Sequence, residues 1–148
     1  MSTYTQILYH IIFSTKYRAC TLTKAGRPIL FQYIGGLLKN KQCHVYKING
    51  VEDHLHIVTH LHPSIALASL VKDIKVASSA YIKEQQLFKN FEGWQDGYGA
   101  FTYSIKERDR LIDYVQQQEV HHHTKSFREE YLDLLNEQGI AFEEQYLL

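Results

Sequence analysis

Residues 43–62 read CHVYKINGVEDHLHIVTHLH: two β-prone runs joined across Asn49-Gly50. An Asn-Gly pair between such runs is a strong hairpin signal, because both residues tolerate the positive φ that a tight turn needs. No other stretch limits the fold as much. It predicts strands over 43–50 and 54–62 paired antiparallel, with Pro63 as a stop, since proline has no N–H to extend a ladder.

The flanking sequence supplies partners for this hairpin. YTQILYHIIFS (4–14) is apolar, aromatic and β-branched and reads as a strand, and GYGAFTYSI (97–105) as another. Residues 22–42 fit a helix capped by Thr23, in which Gly35-Gly36 marks either a weak point or a close helix contact. Ser64 is placed to cap a helix running to about Lys89, with Ala66, Leu67, Leu70, Val71, Ile74 and Ala77 on one side. Residues 107–122 and 126–138 read as two more helices, the last stopped by Gly139. EGWQDGYG (92–99) has three glycines and reads as a mobile loop.

The order β-α-β-β-α-β-α-α predicts an α+β fold of ferredoxin-like, split β-α-β type. It would have one antiparallel sheet, helices on one face and additional C-terminal helices, with the other sheet face free for a site. At 148 residues the chain is expected to be a single domain, 1–148. No apolar run approaches the roughly 20 residues of a membrane helix. The N-terminus lacks a basic segment followed by an apolar one, so no secretory signal is expected. Cys20 and Cys43 are isolated, which points to neither a metal pair nor a disulfide framework, and a reducing cytoplasm is the expected location.

Net charge is zero, but the charge is unevenly spread. Residues 1–50 carry seven Lys/Arg and no acid; residues 129–148 carry six Asp/Glu and no base. The fold either mixes these segments or leaves a basic face for an anionic partner.

Side chains alternate along a strand, so His54 and His56 share a face, about 6.6 Å apart along the chain, and Leu55 faces the opposite way, into the core. Two imidazoles so placed can converge on one divalent cation. The same pattern recurs at His60-Leu61-His62, so at least one pair is incidental, and either also reads as exposed or hydrogen-bonded strand histidines. In LIDYVQQQEVHHH (111–123), Tyr114 and Gln118 lie one turn apart on a helix. Alone, such a tyrosine reads as half-buried packing.

Taken together, DHLHI, WQDGYGAFTYSI and DYVQQQEVHH resemble the motif set of the single-tyrosine transposases of insertion-sequence-200/605-like elements (transposase 17 type). These belong to the HUH nucleases, named for histidine, hydrophobic, histidine. HIIFSTKYR, VKDIKVASSAYIKE and SFREEYLDLLNEQGI extend the resemblance over almost the whole chain, in order. It implies a divalent metal, Mg²⁺ or Mn²⁺, held by His54, His56 and Gln118, and a nucleophilic Tyr114. His60 and His62 become bystanders. His121 and His122 match a histidine pair common in the family, from which no role follows. Many members show Asn where this chain has Gln117, and the ligand position Gln118 is unaffected.

The resemblance further implies DNA transposition. Single-stranded DNA would be cut and rejoined at hairpin-marked ends through a 5′-phosphotyrosine, without ATP. The absence of a phosphate-binding Gly-x4-Gly-Lys-Ser/Thr loop agrees with this. It implies an obligate homodimer that takes the histidines from one subunit and the tyrosine helix from the other. Lys16 and Arg18, at the end of the first strand, and Lys72 and Lys75, on the middle helix, are candidate DNA contacts. Two alternatives carry the same fold: a single-tyrosine nuclease that processes repeated hairpins without mobilising an element, and a non-catalytic hairpin-binding regulator.

Overall fold

The computed structural model describes residues 2–147. Four strands form one antiparallel sheet in the order β2-β3-β1-β4: β1 Leu8–Ser14, β2 Val45–Gly50, β3 His54–His60 and β4 Gly99–Tyr103. Helices α1 (Arg27–Asn40) and α2 (Leu67–Gln85) are the crossovers, and α3 (Arg108–Gln116), α4 (Gln118–His121) and α5 (Phe127–Glu137) follow the last strand. This is the α+β, split β-α-β order expected from the sequence.

Strand alternation sorts the core into two sides. Ile11, Phe13, Leu55 and Ile57 point to α1 and α2 and pack with Leu30, Ile34, Leu38, Leu70 and Ile74. Leu8, Ile12, Val58 and Phe101 point the other way. That second face is not open. Leu111 and Val115 of α3, and Phe127, Tyr131 and Leu134 of α5, lie over it. The C-terminal helices have apolar stripes of their own to bury, and this face of the sheet offers them an apolar surface.

The hairpin forms, but its turn is displaced. Asn49 pairs with His56 and Gly50 with Leu55 inside the ladder, and the chain reverses over residues 51–53, closed by Val51 N–H donating to the His54 carbonyl at 3.1 Å. Gly50 is needed for close approach: a Cβ there would lie 2.5 Å from the His54 carbonyl oxygen. Asn49 has a different task. Its side-chain amide donates to the carbonyls of Val115 and Gln116, both at 3.0 Å, and so satisfies the end of α3.

Other expectations shift at element ends. α1 starts at Arg27 with Pro28 in its first turn, not at Thr23, because Pro28 fixes the helical φ there and has no N–H to leave unpaired. α2 starts at Leu67 after an uncapped Ala66, three residues beyond Ser64. The helix expected over 107–122 is two, broken at Gln117 (φ −96°, ψ 28°). α5 has the full reciprocal cap between Ser126 and Glu129. The glycine-rich 92–99 segment is fastened in place. Trp94 is buried and donates to Ser78 Oγ at 2.9 Å, and Lys75 Nζ donates to the carbonyls of Gln95 (2.8 Å) and Gly97 (2.6 Å).

Among the described residues no helix is long and apolar enough to cross a membrane. Cys20 and Cys43 are both free thiols.

Candidate active site

His54 and His56 leave β3 on the face covered by α3–α5, and both are fully buried. Their Nε2 atoms point at one carboxylate oxygen, Glu130 Oε1, at 3.3 and 3.2 Å. Gln118, also buried, brings its carbonyl oxygen to 3.3 Å from His54 Nε2. The helix break at Gln117 does not separate Tyr114 from Gln118. The Tyr114 hydroxyl donates to Glu130 Oε2, and Gln118 Nε2 donates to the same oxygen at 3.1 Å. His122, one turn beyond Gln118, places Nε2 at 3.1 Å from both Gln118 Oε1 and Glu130 Oε1.

The structure therefore brings His54, His56, Gln118 and Tyr114 together. It adds His122, for which no role had followed, and Glu130, which the sequence reading missed. Glu130 had a signal: it lies three residues after Phe127 and four before Leu134, a carboxylate on the buried stripe of α5. Tyr114 meets histidines of its own chain, so one chain carries the full set. His60 and His62 stay outside it. His60 Nδ1 accepts from the Ile7 N–H, and His62 pairs with Ser64.

The second row of contacts orients the first. Asp53 Oδ1 lies 2.7 Å from His54 Nδ1, and His10 Nε2 lies 2.7 Å from His56 Nδ1. The electrostatics follow. Burial disfavours a charged His54, but the hydrogen bonds to Asp53 and Glu130 outweigh it and raise its pKa. Burial dominates at His56 and His10 and lowers both. Burial alone would raise Glu130, yet the surrounding imidazoles hold it far below the carboxylate range. Tyr114 is pushed well above the usual phenol value by burial and by the neighbouring Glu130 charge.

A divalent metal fits these residues. Oxygen ligands at adjacent corners of a Mg²⁺ octahedron are about 2.9 Å apart. Here the donor atoms of His54, His122 and Glu130 lie within 4.8 Å of one another, with those of His56 and Gln118 against them. Imidazole nitrogen with carboxylate and amide oxygen is a donor set suited to Mn²⁺ and its neighbours, and acceptable to Mg²⁺.

The candidate DNA cations differ in setting, and the Lys16–Arg18 turn and Lys75 border the same 93–97 segment. Lys16 and Arg18 flank Tyr17 in an exposed turn where Tyr17 and Arg18 adopt positive φ (61° and 53°). Lys72 is exposed on α2, while Lys75 is partly buried and bonded to the 92–98 segment. Two cations of the basic N-terminal third, Lys24 and Arg27, reach Glu119, outside the acidic 129–148 segment, at 3.8 and 3.6 Å. Beside Tyr114 a cavity of about 330 Å³ is lined by His121, Lys125, Glu130, Asp133 and Glu137.

The chain is similar to known proteins in sequence and in fold. The family model described as "Transposase IS200 like" matches residues 3–118. The transposase for insertion sequence element IS200 of Salmonella typhimurium is 26% identical over 115 residues, covering 74% of this chain and 75% of that protein. The ISDra2 transposase TnpA of Deinococcus radiodurans is 25% identical over 118 residues, covering 76% and 84%. Two solved structures share the fold. One is a protein from Deinococcus radiodurans described as a transposase (TM-score 0.63, 20% identity, 80% of this chain and 95% of that one). The other is a REP-associated tyrosine transposase bound to a REP hairpin (TM-score 0.60, 16% identity, 82% and 74%). With most of its length matched in order by that family model, this chain belongs to the IS200-like transposase family.

Proposed function

We propose that the protein is a divalent-metal-dependent DNA strand transferase that uses Tyr114 as its nucleophile. The observation that carries this is the convergence of the Tyr114 hydroxyl, two strand imidazoles, the Gln118 carbonyl and a carboxylate at one place. His54, His56 and Gln118 would hold the metal, with His122 and Glu130 in contact with the same donor atoms. When bound, a divalent cation supplies positive charge that offsets the phosphodiester's negative charge and favours the phenolate over the phenol.

The chain's own residues do the rest. The α3 helix, tied to β2 through Asn49, fixes where the Tyr114 ring stands. The Tyr114 oxygen attacks phosphorus; the P–O bond to the 3′ oxygen breaks, leaving a 5′-phosphotyrosine and a free 3′-OH. A second 3′-OH attacks that phosphotyrosine, reforms a phosphodiester and returns the phenol. Bond count is conserved, so no ATP is consumed. The phenolic proton is already directed at Glu130 Oε2.

Single-stranded DNA hairpins are the proposed substrate. Lys16, Arg18 and Lys72 are positioned in solvent to meet phosphates, and Lys75 acts by holding the 92–98 segment. Incubation with hairpin DNA and Mn²⁺ tests the reading: a covalent protein–DNA adduct forms and disappears in Tyr114→Phe. An adduct that survives that change overturns the assignment. The homodimer with exchanged tyrosine helices is tested by mixing Tyr114→Phe with His54→Ala chains. Recovered cleavage requires histidines and tyrosine from different subunits; no recovery supports the self-contained site.

A further inference from the structure

His10 belongs to the HIIFSTKYR stretch and has no part in the reaction described above. It lies on β1 between Leu8 and Ile12, on the face that carries the site, and it is fully buried. Its neighbours are the rings of Phe101, Tyr103 and Tyr114, with centres 6.1–6.2 Å away. An apolar residue would fill such a position without leaving a polar atom unpaired. Histidine leaves one: its Nδ1 has no hydrogen-bond partner among the described residues. Its Nε2 has one partner, His56 Nδ1, at 2.7 Å. The two ring centres are 5.0 Å apart and the planes 19° apart, so the rings meet edge to edge along the hydrogen bond rather than face to face.

We propose that His10 is a positioning residue for metal binding, which holds His56 from behind so that its Nε2 lone pair faces the site. The inference rests on His56 being a ligand. A neutral imidazole that ligates through Nε2 carries its hydrogen on Nδ1, and ligating histidines donate that hydrogen to a fixed acceptor. The acceptor for His54 is Asp53 Oδ1 at 2.7 Å. The counterpart for His56, at the same distance, is His10 Nε2, which accepts when His56 ligates through Nε2. His10 then carries its own hydrogen on the unpartnered Nδ1. An unpaired buried N–H is costly, and orienting a ligand is the function that explains why it is there. The two acceptors also differ in charge. Asp53 is a carboxylate, while His10 is neutral and adds no charge to a pocket that already holds Glu130.

The test uses the full chain and Zn²⁺, which is diamagnetic and suits imidazole. In wild type, nitrogen NMR of the Zn²⁺-bound protein shows His56 with hydrogen on Nδ1 and a through-hydrogen-bond coupling to His10 Nε2. H10M weakens Zn²⁺ binding by about 10–100-fold while the protein stays folded by its amide spectrum. H10Q, whose side-chain oxygen reaches about as far as Nε2, recovers most of that loss. His56 found with hydrogen on Nε2 in the Zn²⁺-bound protein, or H10M binding Zn²⁺ as tightly as wild type, overturns the inference. H56A separates the two levels. If H56A is also without effect, His56 is not a ligand and the metal assignment itself fails. If H56A weakens binding and H10M does not, only the role of His10 is wrong.

Discussion

Glu130 sets the sharpest test of how this site is held together. Its carboxylate is 3% exposed and receives contacts from the Tyr114 hydroxyl, the Gln118 amide and the Nε2 atoms of His54, His56 and His122. Glu130→Ala removes the one group that all five share. Hydrogen bonds to a charged group contribute about 1.5–3 kcal/mol each, but five around one carboxylate do not add. The closer comparison is removal of one partner from a buried charged cluster, which costs about 3–5 kcal/mol because the remaining groups are left desolvated and unpaired. In a chain of this size 1 kcal/mol moves Tm by about 2–4 °C, so the expected drop is roughly 6–20 °C. The assay is thermal unfolding in EDTA at pH 7. Glu129→Ala is the control. It removes half of an exposed capping box, and the full loss of such a cap costs about 1 kcal/mol. If Glu130→Ala melts no lower than Glu129→Ala, the carboxylate is not the hub of the cluster and the reasoning fails. Adding Mn²⁺ gives a second reading. Ligand binding raises Tm in proportion to the logarithm of saturation, and that increment shrinks in Glu130→Ala if the carboxylate touches the ion.

Other outcomes follow from single contacts. Gly99→Ala places a Cβ 2.7 Å from the Tyr131 ring; the overpacking costs about 1–3 kcal/mol and loosens α5, seen as faster amide exchange there. Asn49→Ala uncaps the end of α3, lowers stability by about 1–2 kcal/mol in urea and slows adduct formation, because the Tyr114 helix loses its tie to β2. His10 and His56 have pKa values below the unfolded histidine value, so the unfolded chain binds protons that the folded one does not. Stability from these two groups is therefore complete above about pH 6.5 and falls on acidification below it. His54, with a raised value, works in the opposite direction and blunts the effect. His10→Met therefore shows a smaller loss between pH 7 and 5 than wild type in denaturant titrations, and an equal loss would contradict the burial argument.

The sequence by itself determined the element order, the two-faced alternation of the strands, and which residue types share a periodic face. These are local properties, fixed by backbone geometry within a few residues: His54 and His56 must project together whatever lies above them. Family motifs in the sequence named Tyr114 and Gln118. It did not place the turn of the central hairpin, because Asn49 has a stronger tertiary use at the end of α3 than in the turn. Nor did it show that α3–α5 fold back over the second face of the sheet, since that depends on apolar surfaces far apart in the chain finding each other. Glu130 is 74 residues from His56, and His10 is 46 residues from it. Only packing of α5 and β1 around β3 brings a carboxylate and a third buried imidazole to that pair, and no spacing rule spans such distances.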